Sequence, residues 1–298
     1  MPDNFTPLLP SSDWNQEWKV LQKARRRKDN ASYWDVRSHT FGSKDSPNHY
    51  VDAFLEKSGI CAGESVLDMG CGTGALSLPL GMKNHPVIAA DFSAGMLDKL
   101  RERLAEKSIS SVSPLLMSWE DNWDDWGLGK NSVDLAFASR SVATDDLKSS
   151  LLKLTKVARK RACVTVTTGA SPRVDERIMK ALEIPCDFGH DYQYVLNILI
   201  NDGLKPELSY IESTRKYTFD SIEEALDAFE RMVSETAYTD EMNREELRKR
   251  LYPWIKDHLI KNSEAGKNDS KDHPQKAFCL DKPRSNVWAF ISWNTDID

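Results

Sequence analysis

The chain has 298 residues, 40% of them apolar, and a formal net charge of −6. This size and apolar content sustain a substantial buried core, while an acidic chain is not drawn non-specifically to nucleic acid or anionic lipid. The five cysteines, Cys61, Cys71, Cys163, Cys186 and Cys279, are odd in number and include no Cys-x-x-Cys pair, so neither a disulfide framework nor a metal site is expected.

The opening stretch MPDNFTPLLPSSDW lacks the basic and apolar regions of a signal peptide. No run reaches the ~18 apolar residues of a membrane span, and a cytoplasmic protein is expected. Residues 1–58 are polar, charged and rich in aromatics, among them Trp14, Trp18, Tyr33, Trp34, Phe41 and Tyr50. They read as a helical segment preceding the core at 59–298. The dense basic run Lys23–Lys28 fits a solvated helix face better than an anion site.

From Ser65 short apolar runs alternate with amphipathic stretches. Ser65–Asp68 reads as a buried strand, Thr73–Met82 as a helix and Pro86–Asp91 as a second strand. Ser93 caps a helix that places Leu97, Leu100 and Leu104 on one face. Val112–Met117 and Val133–Ser139 are strands three and four, and Leu147, Leu151, Leu154 and Val157 mark a helix. Ala162–Thr168 is strand five. Strands alternating with helices predict a parallel, doubly wound α/β sheet with right-handed crossovers.

Residues 170–190 break the alternation as an insertion. Tyr192–Asn201 then reads as helix and Glu207–Phe219 as strand. Extra helices follow over about 220–262, the first opened by a capping box at Ser221–Glu224. Ser263–Pro274 reads as loop. Ala277–Leu280 and Asn286–Trp293 read as a final hairpin or one long strand.

The chemistry concentrates in Val66-Leu-Asp68-Met-Gly70-Cys71-Gly72-Thr-Gly74, a strand, a glycine loop and the start of a helix. Glycines permit positive φ and close approach of a ligand, and the helix start offers N–H donors. Gly70-x-Gly72-x-x-Ala75 also fits the dinucleotide fingerprint, which would make the protein an oxidoreductase. Asp68 argues otherwise. A carboxylate beside a diphosphate costs about 1 kcal/mol at 4 Å in water and roughly four times that near a protein surface, whereas it suits a ligand carrying an ammonium and a sulfonium. Asp91, at the end of strand two, is placed to accept from both ribose hydroxyls of either cofactor.

The succession VLDMGCGTG, then Asp91 in ADFSAGML, then Ser118-Trp119-Glu120-Asp121 after strand three resembles the motifs of the class I S-adenosylmethionine-dependent methyltransferases. The resemblance implies a Rossmann-like, seven-stranded, mostly parallel sheet with the last strand antiparallel. It implies S-adenosylmethionine as cofactor, with Asp68, Gly70, Cys71, Gly72 and Gly74 around its methionyl part. Asp91 would lie at the ribose, Phe92 over the adenine, Ser118, Trp119 and Glu120 at the adenine edge, and Ser139 along the methionine channel. A leading Tyr-Trp-Asp-x-Arg-like segment implies an N-terminal helical lid carrying Tyr33, Trp34 and Arg37.

Methyl transfer from a sulfonium needs alignment more than a fixed catalytic group. His190, Tyr192 and Arg140 are the catalytic candidates. Arg140, His190 and Tyr194 join the lid residues as acceptor contacts. Arg140 follows strand four and would hold an anion through its planar fork, or else pair with Asp145 or Asp146. Pro185-Cys186 resembles the nucleophilic pair of cytosine-carbon methyltransferases but follows strand five rather than four. Strand four ends Ala138-Ser-Arg-Ser141, which lacks the Asn/Asp-Pro-Pro-aromatic motif of amino-directed DNA methylation. A small-molecule acceptor is therefore expected. A protein or RNA methyltransferase and a non-catalytic S-adenosylmethionine-binding protein remain as alternatives.

Overall fold

The computed structural model describes residues 13–25, 30–38, 49–142, 144–169, 174–184, 190–234, 243–269 and 274–295. Phe41, Arg26–Lys28 of the basic run and the Pro185-Cys186 pair lie outside them.

Three helices come first: α1 (Trp14–Arg25), α2 (Ala31–Ser38) and α3 (His49–Ser58). The alternation follows with β1 (Val66–Met69), α4 (Ser77–Met82), β2 (Val87–Asp91), α5 (Ala94–Glu106), β3 (Val112–Leu116), β4 (Val133–Ser139), α6 (Leu147–Val157) and β5 (Ala158–Thr167). Beyond it come α7 (Glu176–Ala181), α8 (Asp191–Asn201) and β6 (Glu207–Arg215), then β7 (Thr218–Phe219), α9 (Ile222–Ser234), α10 (Arg244–His258), β8 (Leu259–Lys261), β9 (Phe278–Leu280) and β10 (Arg284–Asn294).

The main sheet has seven strands in the order β3-β2-β1-β4-β5-β10-β6. All are parallel except β10, which runs antiparallel to both neighbours. This is the expected doubly wound sheet with its last strand reversed. β1 is buried at every position, as a central strand covered on both faces must be.

Side-chain alternation divides the core between the two faces. On one face Val66, Phe137, Trp288 and Phe290 meet α3, α4 and α5, and Phe54 sets its ring edge-on 5.2 Å from both Phe137 and Phe290. On the other, Leu67, Ala136, Ile291 and Trp293 meet α1, α6 and α8. Burying each such ring or aliphatic chain contributes roughly 1.5–3 kcal/mol. Trp18 of α1 is fully buried here and its indole donates to the Thr144 carbonyl at 2.7 Å. The N-terminal segment is therefore not all cover. Both α1 and α3 complete the core, while α2 packs against α5.

α7, α9, α10 and the short sheet β7-β9-β8 build a second core from Ile178, Met179, Phe219, Phe229, Leu251 and Leu280. α7, from the stretch expected as an insertion, thus shares one core with α9 and α10, and together they form a single cap. It springs from a single edge of the main sheet. Arg215 at the end of β6 pairs with Arg284 at the start of β10, and Trp288 pairs with Thr167 at the end of β5. That is the carboxyl edge of the parallel strands, where ligands bind in such sheets.

Among the differences from the sequence reading, three bear on the site and the cap. The helix expected from Thr73 begins at Ser77, because Gly70, Gly72 and Gly74 hold the preceding loop at positive φ. The strand expected over 207–219 breaks at Lys216 and Tyr217, and its end joins the cap. The expected terminal hairpin does not form: β9 pairs in the cap, while β10 pairs between β5 and β6. Among the described residues no helix is long and apolar enough to cross a membrane.

Candidate functional site

The glycine loop turns back over β2. Gly70 and Cys71 both donate their N–H to the Ala90 carbonyl, at 2.7 and 3.0 Å, and Gly72 N donates to Asp91 Oδ2 at 2.8 Å. A Cβ on Gly70 would lie 2.3 Å from that of Ser141, so glycine is required there. Ser141 Oγ donates to the Met69 carbonyl at 2.6 Å, tying the loop after β4 to the loop after β1.

Two carboxyl groups lie beneath this loop. Asp68 is buried and accepts from Ser77 Oγ at 2.6 Å. Burial pushes its pKa up to about 6, opposed by the Ser77 hydrogen bonds and reinforced by the charge of Asp91. Asp91 is also buried and accepts from Ser93 N at 2.9 Å in addition to Gly72 N. Burial raises its pKa too, against those backbone donors. Cys71 is buried, and desolvation followed by the charges of Asp68 and Asp91 pushes its thiol up, so it stays protonated and inert. Phe92, directly after Asp91, is 38% exposed despite its size.

Asp35 of α2 joins this centre, and the sequence reading passed over it in favour of its neighbours. Its Oδ1 accepts from Ser93 Oγ at 2.6 Å and from Gly95 N at 3.0 Å. Gly95 admits the contact because it has no side chain: a Cβ there would sit 3.0 Å from the Asp35 Cα. Ser93 meanwhile caps α5 by accepting from Met96 N at 3.1 Å. Tyr33, Trp34 and Arg37 cluster with one another, Arg37 donating to the Tyr33 hydroxyl at 2.8 Å and lying 5.9 Å from the Trp34 ring centre.

After β3, Ser118 is tied into its own turn, its N–H donating to Asp121 at 2.8 Å and its Oγ accepting from Glu120 N at 3.2 Å. The Trp119 indole donates to the Ser141 carbonyl at 3.0 Å and its ring rests 5.5 Å from that of Trp123. Trp119 is thus a wall between two loops rather than a free hydrogen-bond donor, and Glu120 is exposed.

At β4, the Ser139 hydroxyl meets that of Tyr50 at 2.7 Å, and Tyr50 meets Thr165 Oγ1 at 2.6 Å. Burial raises the Tyr50 pKa above its ordinary range, outweighing the Arg140 charge. Arg140 stacks on the Tyr50 ring with its Cζ 4.2 Å from the centre. It does not pair with Asp146, which instead caps α6 and binds Lys19 at 2.6 Å.

His190 stands exposed before α8, with Nδ1 3.0 Å from the Thr168 carbonyl. A carbonyl only accepts, which puts the proton on Nδ1 and leaves the Nε2 lone pair outward. Tyr192 packs partly buried against the core, with its ring edge-on to His190 at 6.1 Å. Tyr194 lies elsewhere, with its ring against Trp14 and Trp18 and its hydroxyl donating to Glu17 at 2.7 Å. It serves the α1–α8 interface and leaves the acceptor set. Tyr50, Ser141 and Thr165 escaped the sequence reading because single polar residues on buried strands and helices carry no spacing pattern.

A doubly wound sheet with a glycine loop and carboxylates at its carboxyl edge defines a nucleoside-binding α/β domain. Residues 66–161, β1 into β5, match the family described as methyltransferase domain. The chain is similar to a Haemophilus influenzae protein of uncharacterized function, 29% identical over 267 residues that span 88% of this chain and 89% of that one. Its fold matches that of a Bacillus halodurans C-125 protein itself only inferred to be a methyltransferase, at a TM-score of 0.50 and 11% identity over 83% of this chain and 99% of that one. It also matches phosphoethanolamine N-methyltransferase 2 of Haemonchus contortus, solved with phosphomonomethylethanolamine and S-adenosylhomocysteine, at a TM-score of 0.50 and 14% identity over 95% of this chain and 60% of that one. Residues 66–161 thus carry a methyltransferase domain, and the protein is an enzyme that transfers methyl groups from S-adenosylmethionine.

Proposed function

We propose that this enzyme methylates a small-molecule acceptor bound between the carboxyl edge of the main sheet and the cap. One observation carries the cofactor side of the reading: two buried carboxyl groups, Asp68 and Asp91, flank the glycine loop. Acids at this spacing repel a diphosphate and attract a cation. Asp68 faces the cofactor's ammonium. Asp91 keeps lone pairs for the ribose hydroxyls after its bonds to Gly72 and Ser93. The backbone of Gly70, Cys71, Gly72 and Gly74 lines the methionyl part, Ser139 borders the channel and Phe92 covers the adenine. Ser118, Trp119 and Glu120 border the adenine edge.

S-adenosylmethionine, when bound, supplies a methyl group already activated by the sulfonium charge. The protein's part is alignment, which supplies roughly 7–11 kcal/mol of such a barrier. His190 presents an Nε2 lone pair able to take a proton from an acceptor that must lose one. Tyr33, Trp34 and Arg37 on α2 border the acceptor from the opposite side. The cap, with its own core, rises from the carboxyl edge and supports a small acceptor held beside it.

The test is calorimetry with S-adenosylmethionine, S-adenosylhomocysteine and NADH, followed by transfer of labelled methyl into pooled small metabolites, total protein and total RNA. Labelling of the metabolite pool alone fits this reading. Labelling of protein or RNA overturns the acceptor class. Binding without turnover in any pool points to a regulatory binder, and NADH binding alone overturns the cofactor.

A further inference from the structure

We propose that Arg140 is the receptor for a carboxylate at the methyl-transfer end of the site, an inference that rests on the methyltransferase reading above. Arg140 occupies the left-handed region at φ 59°, a conformation that a long side chain adopts only when its surroundings impose it. Here they do: its N–H donates to both the carbonyl and the Oγ1 of Thr165, at 3.2 and 3.0 Å. The backbone twist and the β5 anchor together turn the side chain toward α3 and β10.

There the guanidinium meets two rings from two different elements. Its Cζ lies 4.2 Å from the Tyr50 ring centre and 5.6 Å from that of Trp288. Tyr50 is itself fixed, its hydroxyl bonded to Ser139 and Thr165. The rings occupy the face of the cation and leave its edge, where the N–H donors lie. Among the described residues no carboxylate or carbonyl accepts from that edge, and Asp146 is committed to Lys19 and to the cap of α6.

An exposed guanidinium held by its face with its edge unspent is a preorganised fork, and a carboxylate matches it with two parallel bonds. The neighbouring Asp68 and Asp91 make a dianion a poorer fit than a single carboxylate. Arg140 also sits at the glycine-loop end rather than the Phe92 end, because Ser141, the next residue, is the one anchored to the Met69 carbonyl.

The carboxylate has two sources, the methionyl group of the cofactor or the acceptor. Wild type, Arg140→Met and Arg140→Lys are compared by calorimetry, with melting curves to establish that each is folded; the lysine variant keeps the charge and reads out the fork if the methionine variant does not fold. Each is titrated with S-adenosylhomocysteine, with 5′-methylthioadenosine, which lacks the carboxylate, and, once loaded with S-adenosylhomocysteine, with benzoate. If the cofactor supplies the carboxylate, Arg140→Met weakens S-adenosylhomocysteine binding about 10–100-fold and leaves 5′-methylthioadenosine unchanged, with the lysine variant between. If the acceptor supplies it, S-adenosylhomocysteine binds all three alike, while benzoate binds the loaded wild type and not loaded Arg140→Met. Equal behaviour of wild type and variants toward every probe overturns the assignment of Arg140 alone. No binding of S-adenosylhomocysteine to wild type overturns the cofactor reading and takes this assignment with it.

Discussion

Asp68 keeps its proton to about pH 6 because it is sealed from water. The unfolded value is near 3.9, so the folded chain holds a proton that the unfolded chain has released. The contribution of this group to stability is therefore full below about pH 4 and lost as pH rises through about 6. Asp68→Asn should raise the melting temperature of the ligand-free protein at pH 8 and leave it unchanged at pH 4, while weakening S-adenosylhomocysteine at least about tenfold. Equal shifts at the two pH values would mean that Asp68 is solvated. An ammonium facing Asp68 favours the ionised form, so wild-type affinity should climb with pH up to about 6 and then level, with one proton released below that point; calorimetry in buffers of different ionisation enthalpy counts it. Asp91→Ala removes an acceptor of two backbone N–H groups as well as the proposed ribose contact. Affinity should fall by about 1.5–3 kcal/mol, read in the same titrations. Both acids were legible in the sequence because they sit at fixed offsets from the glycines. Their partners Ser77, Asp35 and Ser141 were not, since a hydrogen bond between distant segments leaves no mark on local spacing.

α2 and α5 are joined through one hydroxyl. Ser93 caps α5 and donates to Asp35 of α2, while its N–H holds Asp91. Ser93→Ala should cost about 1–2 kcal/mol in global stability, measured by urea unfolding, because the cap and the clasp are lost together. Asp35→Ala should leave the cap of α5 intact and speed proteolytic cleavage within α2. Unchanged cleavage would show that aromatic contacts, not the clasp, seat this helix. The elements easiest to read from sequence were those whose burial repeats, such as α5 with Leu97, Leu100 and Leu104, α6 with Leu147, Leu151 and Leu154, and the short β1, buried at every position. α7 was missed because a six-residue helix has no room for a repeat. The partners of β9 and β10 were misjudged because alternation states that a strand exists and not which strand it joins.

The molecule as a whole carries two cores, one for the sheet and one for the cap. Phe229 lies in the second, edge-on to Tyr217, Phe219 and Trp254. Phe229→Ala should cost about 3–5 kcal/mol of cap stability yet leave S-adenosylhomocysteine affinity within about twofold, since the residues proposed to hold the cofactor lie on the other core. A parallel loss of cofactor affinity would show the two cores to be one cooperative unit. The cap was illegible as a unit because its halves are separated by α8 and β6. That separation bears on how the polypeptide matures. β10 lies between β5 and β6 although it follows both, with β7, α9, α10, β8 and β9 intervening. A growing chain can zip β1 to β5 from near neighbours as they emerge, but it must leave a vacant slot beside β5 until Arg284–Asn294 arrives. Until then β5 and β6 each present an unpaired edge to every other strand in the cell. Productive synthesis of this enzyme thus turns on one late insertion, and a ribosome that pauses before residue 284 would hold a half-closed sheet as a chaperone client.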